Sequence, residues 1–239
     1  MEVIVLTHLV KTHIKGLDEA LGGGFPRPGI VLVVGHPGTG KTILSIQYLA
    51  GRALRYGERG LYILTSQPLK TLNLELSGLN IGFNDAVSKG LLDILEFLPV
   101  IESTTAKTLI DEIISRIEQG RYVNIVVDSV TALVSLFSPR EVRTLLSYIL
   151  KCIVAHDMTC ILIGELPLIG KAYLPAIEEF IADMLIKVEF VETANKLMIR
   201  LIPIKSRGSL ITRKYYEATI TKDGFELVGE ITLHTPKPK

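Results

Sequence analysis

Runs of Val, Ile and Leu recur at Gly29 to Val34, Gly60 to Leu64, Leu91 to Phe97, Tyr122 to Val127 and Thr159 to Gly164, and most stretches between them carry apolar residues at helical spacing. Near-continuous apolar runs predict strands covered on both faces, and their alternation with helices predicts a mainly parallel sheet in an α/β fold. Ala106, Leu109, Ile110, Ile113, Ile114 and Ile117 fall on one helical face, as do Val142, Leu145, Leu146, Ile149 and Ile153. Both stripes read as core faces. The second helix also has a start signal: in Ser138-Pro139-Arg140-Glu141 the serine takes the cap, the proline the first turn, and the glutamate closes a capping box.

After about residue 183 the pattern changes to shorter strands at Leu185 to Val191, Leu197 to Ile204, Lys214 to Ile220 and Phe225 to Thr232, with turn residues such as Lys222-Asp223-Gly224 between them. This predicts a C-terminal antiparallel extension of the same sheet. With no internal repeat or low-complexity segment, a single domain over residues 1–234 is expected, followed by a flexible tail at 235–239.

The length of 239 residues and the 48% hydrophobic content suit one sizeable α/β core. Lys and Arg number 26 against 25 for Asp and Glu, so a net charge of +1 offers no global field for nucleic acid, and such a partner needs a local patch. Cys152 and Cys160, one on a helix and one at a strand start, do not form a disulfide framework, which fits a reducing compartment. Met1 to Leu6 has no basic leader, and no run approaches the roughly 18 apolar residues of a membrane span. A cytoplasmic location without membrane insertion is the expectation.

Gly35-His36-Pro37-Gly38-Thr39-Gly40-Lys41-Thr42 fits the pattern G-x-x-x-x-G-K-[ST]. The strand Ile30 to Val34 precedes it, and Ile43, Leu44, Ile46, Leu49, Ala50 and Ala53 follow at helical spacing. Glycines let successive N–H groups curl around a phosphate, the helix start adds its dipole, and Lys41 neutralises β and γ oxygens. Thr42 supplies a hydroxyl for Mg²⁺, and Ile43 completes the ATP-binding stretch. The bland alternative is a glycine-rich turn, against which both flanks weigh. His36 sits at a variable position and reads as passive. Asp128 ends the strand Tyr122 to Val127, where a carboxylate at the sheet's C-terminal edge can reach Mg²⁺ through water. Its alternative is a cap for Ser129 to Leu133.

Several segments together resemble the KaiC-like branch of the RecA superfamily, in its single-domain, RadA-paralogue form. They are Gly16-Leu17-Asp18-Glu19-Ala20-Leu21-Gly22-Gly23-Gly24, the P-loop, Val127-Asp128-Ser129-Val130, Glu178-Glu179-Phe180-Ile181-Ala182-Asp183, Lys205-Ser206-Arg207-Gly208 and Ile220-Thr221-Lys222-Asp223-Gly224-Phe225. The resemblance spans nearly the whole chain and implies a RecA-like P-loop NTPase fold that takes ATP and Mg²⁺. It further implies a homo-oligomer, a hexameric ring or a filament, with nucleotide between subunits and Lys205 and Arg207 reaching the neighbour's γ-phosphate. The alternative for that pair is a solvated strand end.

The chain departs from the family after the second strand, where Leu64-Thr65-Ser66-Gln67-Pro68 replaces two water-polarising glutamates. Neither Ser66 nor Gln67 can accept a proton, and loss of a general base costs on the order of 10²- to 10⁴-fold. Gln67 can still orient a water. Glu165, at the end of the strand Thr159 to Gly164, is read as a γ-phosphate sensor rather than a substitute base. Glu178 and Glu179, about 100° apart on a helix, cannot share one substrate atom and read as a helix face and subunit contact.

The leading expectation is therefore tight ATP binding with slow hydrolysis, in a nucleotide-dependent oligomeric switch that regulates a protein partner. A recombinase paralogue assisting DNA repair is the alternative. Its single-stranded DNA would lie on the loop Leu166 to Ala176, with Lys171 and Tyr173, or on Arg200, Lys205, Arg207, Arg213 and Lys214. A third reading is a nucleotide-sensing scaffold of a motor such as the archaellum.

Overall fold

The computed structural model describes residues 8–97, 103–119, 121–131, 137–166, 181–193 and 196–231. Lys171, Tyr173, Glu178, Glu179 and the tail at 235–239 lie outside them. A short antiparallel pair, β1 (His8–Val10) and β2 (Phe25–Arg27), flanks the turn of helix α1 (Leu17–Ala20). The main sheet begins with β3 (Gly29–Gly35), which feeds α2 (Lys41–Tyr56), and continues with β4 (Gly60–Leu64), α3 (Leu69–Leu76), α4 (Phe83–Ser88) and β5 (Leu92–Glu96). Then come α5 (Ser103–Glu118), β6 (Asn124–Asp128), α6 (Pro139–Ala155), β7 (Thr159–Glu165) and β8 (Met184–Glu192). The chain closes on β9 (Leu197–Ser206), β10 (Tyr216–Thr221) and β11 (Gly224–Glu230).

Among the described residues the sheet has nine strands in the order β11-β10-β9-β8-β3-β7-β6-β4-β5. Strands β8, β3, β7, β6, β4 and β5 pair in parallel, and β9, β10 and β11 add an antiparallel edge. One strand departs from expectation. The stretch at Leu185 to Val191, read as antiparallel, is β8 and runs parallel to β3. The span between Glu165 and Met184 is long enough for the crossover that a parallel neighbour requires, and the antiparallel part starts only at β9.

The period of two along each central strand divides its side chains between two cores. Val31, Val33, Tyr62, Leu64, Val126, Ile161 and Ile163 pack on the side of α2 and α3, while Ile30, Leu32, Leu61, Ile63, Ile125, Val127, Cys160 and Leu162 pack against α5 and α6. The start of α6 carries the expected capping box: Glu141 N–H donates to Ser138 Oγ at 3.4 Å, and Ser138 N–H donates to Glu141 Oε2 at 2.9 Å.

Where the parallel strands begin, Glu58 ties three segments together. Both nitrogens of the Arg27 fork donate to it at 2.8 and 2.9 Å, Arg52 Nε donates at 2.9 Å, and Asn124 Nδ2 at 2.8 Å. Burial opposes ionisation of Glu58, but the hydrogen bonds from Arg27, Arg52 and Asn124 outweigh it and hold the carboxyl well below its ordinary value of 4.5. Arg27 and Arg52 are each 6% exposed, so removing their shared anion leaves buried positive charge unpaired. Glu58→Gln is expected to lower the unfolding free energy by about 3 kcal/mol at pH 7 in denaturant titrations. Because the folded-state pKa is depressed, the stabilisation is complete above the unfolded value of 4.5 and is lost as pH falls through the folded value, so the gap between variant and wild type narrows in acid. Equal stability at pH 7 would contradict this clamp.

Candidate functional site

Four adjacent parallel strands end at one edge of the sheet, and each delivers residues to the same place. Gly35 of β3 is level with Glu165 of β7, Ile163 of β7 with Asp128 of β6, and Asp128 with Leu64 of β4. The strand ends therefore carry the P-loop, Glu165, Asp128 and the Ser66-Gln67 pair into one cleft of about 420 Å³, also lined by Pro37, Ile43, Glu75 and Ile220. Concave sites at the carboxyl edge of parallel sheets are the usual ligand positions of such folds.

The loop from Gly35 to Gly40 enters α2 without a side-chain cap, which leaves first-turn N–H groups available to an anion. Two glycines are needed for packing. A Cβ on Gly35 would stand 2.0 Å from the Val188 carbonyl oxygen, and Gly40, at φ +87°, has Ile220 and Phe225 of the closing hairpin against it. The hairpin thus rests on the helix start, anchored by Phe225 N–H donating to Gln47 Oε1 at 2.8 Å. Thr39 Oγ1 donates to the His36 carbonyl at 2.8 Å, and the Lys41 ammonium donates to the Gly35 and His36 carbonyls at 3.0 and 2.8 Å. Lys41 is 7% exposed; burial lowers its pKa, and Asp128 and Glu165 partly counter that. The His36 ring nitrogen Nδ1 is buried with no hydrogen-bond partner among the described residues.

Thr42 and Asp128, far apart in sequence, meet directly: Thr42 Oγ1 donates to Asp128 Oδ2 at 2.7 Å. Tyr62 Oη donates to the same carboxylate oxygen. Tyr62 is fully buried; burial and then the charge of Asp128 raise its pKa well above the ordinary phenol value, so it remains a donor. Asp128, 4% exposed, is held by two hydroxyls. One carboxylate and one hydroxyl suit Mg²⁺, which takes its other oxygen ligands from phosphates and water.

Gln67 stands at the rim and donates from Nε2 to Glu75 Oε2 at 3.1 Å. Ser66 Oγ donates to the Asp128 carbonyl at 3.4 Å. Glu165 borders the same cleft, its N–H donating to Thr131 Oγ1 at 3.0 Å. The sequence patterns do not mark Tyr62 or Glu75. A tyrosine inside an otherwise aliphatic buried strand does signal a hydroxyl that needs a partner, but Glu75 follows no short motif.

Lys205 and Arg207 are not in this cleft. Lys205 pairs with Leu185 and Ser206 with Met184, which is itself level with Val31, while Arg207 N–H donates to the Asp183 carbonyl at 2.6 Å. The Arg207 guanidinium lies 3.9 Å from the Asp183 carboxylate, whose Oδ2 accepts from Ile30 N–H. Arg207 therefore sits beside the start of β3, about 16 Å along the strand from Gly35 at ~3.3 Å per residue.

The family profile described as "ATPase: KaiC" matches residues 10–231. A UPF0273 protein of Methanopyrus kandleri is 27% identical over 235 residues, which cover 92% of this chain and 92% of that protein. The circadian clock oscillator protein KaiC of Picosynechococcus sp. is 26% identical over 229 residues, which cover 91% of this chain but 44% of the clock protein. The crystal structure of a KaiC-like protein from Pyrococcus horikoshii aligns with a TM-score of 0.78 at 27% identity, over 93% of this chain and 99% of that one. Among the described residues no helix is long and apolar enough to cross a membrane. With its P-loop at the carboxyl edge of a largely parallel sheet and a profile match running from β1 to beyond β11, the chain belongs to the KaiC family of ATPases, nucleotide-binding proteins of RecA-like fold.

Proposed function

We propose that this protein is a homo-oligomeric ATP switch that binds Mg-ATP tightly, hydrolyses it slowly and completes each site with residues of a neighbouring subunit. The observation that carries the reading is the placement of Lys205 and Arg207 at the sheet edge opposite the P-loop of their own chain. An arginine side chain spans about 7 Å, so a contact between Arg207 and nucleotide requires a second copy arranged head to tail.

In this reading the P-loop N–H groups of Gly38 to Thr42 and the Lys41 ammonium hold the phosphates, with Gly35, His36, Pro37, Thr39 and Ile43 shaping the loop. Thr42 and Asp128 hold Mg²⁺, which on binding neutralises phosphate charge. Glu165 senses the γ-phosphate from the adjoining strand, and Gln67 orients a water. Slow turnover follows from chemistry at the end of β4: a hydroxyl and an amide stand where a carboxylate would polarise that water. The oligomeric state then reports nucleotide occupancy to a protein partner.

Two experiments test the parts. Tyr62→Phe keeps the ring that fills the core and removes one of the two hydroxyls on Asp128; titration calorimetry is expected to show Mg-ATP affinity reduced about fivefold, as for the loss of one hydrogen bond, with Mg-free ATP unchanged. Equal Mg-ATP affinities would remove Tyr62 from the site. Lys41→Ala and Arg207→Ala are each expected to abolish most phosphate release, whereas an equimolar mixture recovers turnover well above the sum of its components, from head-to-tail sites that pair an intact P-loop with an intact arginine. A mixture as inactive as its components contradicts completion in trans.

A further inference from the structure

Gln67 and Glu75 border the nucleotide cleft together, from the loop after β4 and from α3. The folding of α3 brings them together. Leu72 and Leu76 are its buried stripe, and Glu75, three residues after Leu72 and one before Leu76, projects from the flank of that stripe. There it accepts a hydrogen bond from Gln67 Nε2 at 3.1 Å. Glu75 is itself exposed, and the contact is made at the rim of the cleft that both residues line.

An ionised carboxylate accepts hydrogen bonds and donates none, so it selects one of the two orientations of the Gln67 amide. The NH₂ group turns to Glu75, and the carbonyl oxygen Oε1 is left as the acceptor for a water. Without such a partner the amide rotates freely, and half of its orientations offer donors where the water also needs an acceptor. Serine and glutamine at the end of β4 thus leave a gap in function that a carboxylate eight residues later can fill indirectly.

We infer that Glu75 is a positioning residue for ATP hydrolysis, holding Gln67 in the one amide orientation that can align the attacking water. The inference rests on the reading of Gln67 as the water-orienting residue. In the step itself the water oxygen bonds to the γ-phosphorus and the bond from that phosphorus to the β,γ-bridging oxygen breaks, its electron pair leaving with ADP. One water proton stays on the inorganic phosphate and the other is released to solvent. Neither Gln67 nor Glu75 changes protonation state.

The test is phosphate release by the full-length chain at saturating Mg-ATP, with nucleotide affinity measured separately by fluorescent-ATP titration. Gln67→Ala and Glu75→Ala are each expected to lower kcat about five- to tenfold, the consequence of one lost hydrogen bond, with nucleotide affinity unchanged. The double variant is no worse than either single one, because the residues act as a unit. Glu75→Gln, whose carbonyl still accepts from Gln67, retains kcat within about twofold of wild type. If Gln67→Ala slows turnover and Glu75→Ala does not, the inference fails and the reading of Gln67 stands. If Glu75→Gln is as slow as Glu75→Ala, the negative charge itself is required and positioning is overturned. Turnover unaffected by Gln67→Ala, or wild-type turnover no faster than buffer, overturns the reading of Gln67 and the inference with it.

Discussion

Parallel pairing brings the carboxyl ends of β3, β7, β6 and β4 to one edge of the sheet in close register, with Gly35 beside Glu165 and Leu64 beside Asp128. Every contact in the cleft depends on that alignment. A shift of one residue in β6 would turn Asp128 to the other face of the sheet, away from Thr42 and Tyr62. The register is held by apolar side chains buried on both faces and, at the opposite edge, by the Glu58 cluster that joins Arg27 before β3, Arg52 at the end of α2 and Asn124 at the start of β6. Polar bonding is thus concentrated at the two ends of the strands, for stability at one and ligand chemistry at the other.

The same geometry separates holding a nucleotide from consuming it. Groups suited to holding phosphate and metal are buried and hydrogen-bonded: Lys41 lies under the loop, and Asp128 is fixed by two hydroxyls. Groups suited to activating water are at the exposed rim and joined by one amide-to-carboxylate bond. An amide aligns a water without taking its proton, which is the ground on which we propose slow cleavage. Strand direction places Lys205 and Arg207 at the far edge, and in the switch we propose they serve the cleft of a neighbouring copy.

What the sequence made legible was local. The P-loop declares itself through glycines, Lys41 and Thr42 between a strand and a helix, and Asp128 through its position at the end of an apolar run; the Ser138 capping box needs only four residues. Features that depend on distant partners were not legible in this way. The direction of β8 is set by a crossover and not by its own composition, so its side chains alternate in the same manner whether it pairs in parallel or antiparallel. Tyr62 looks like a core aromatic until β6 brings Asp128 to its hydroxyl. Glu75 looks like a solvated helix position until the loop after β4 turns Gln67 toward it. The far-edge location of Lys205 and Arg207 likewise emerges only from the pairing of β9 with β8.

The central claim is that nucleotide occupancy controls assembly, and light scattering coupled to size exclusion tests it most directly. The account predicts a larger species with Mg-ATP than with ADP or without nucleotide, with the ATP-dependent increase lost in Lys41→Ala. A single mass under all three conditions would contradict it.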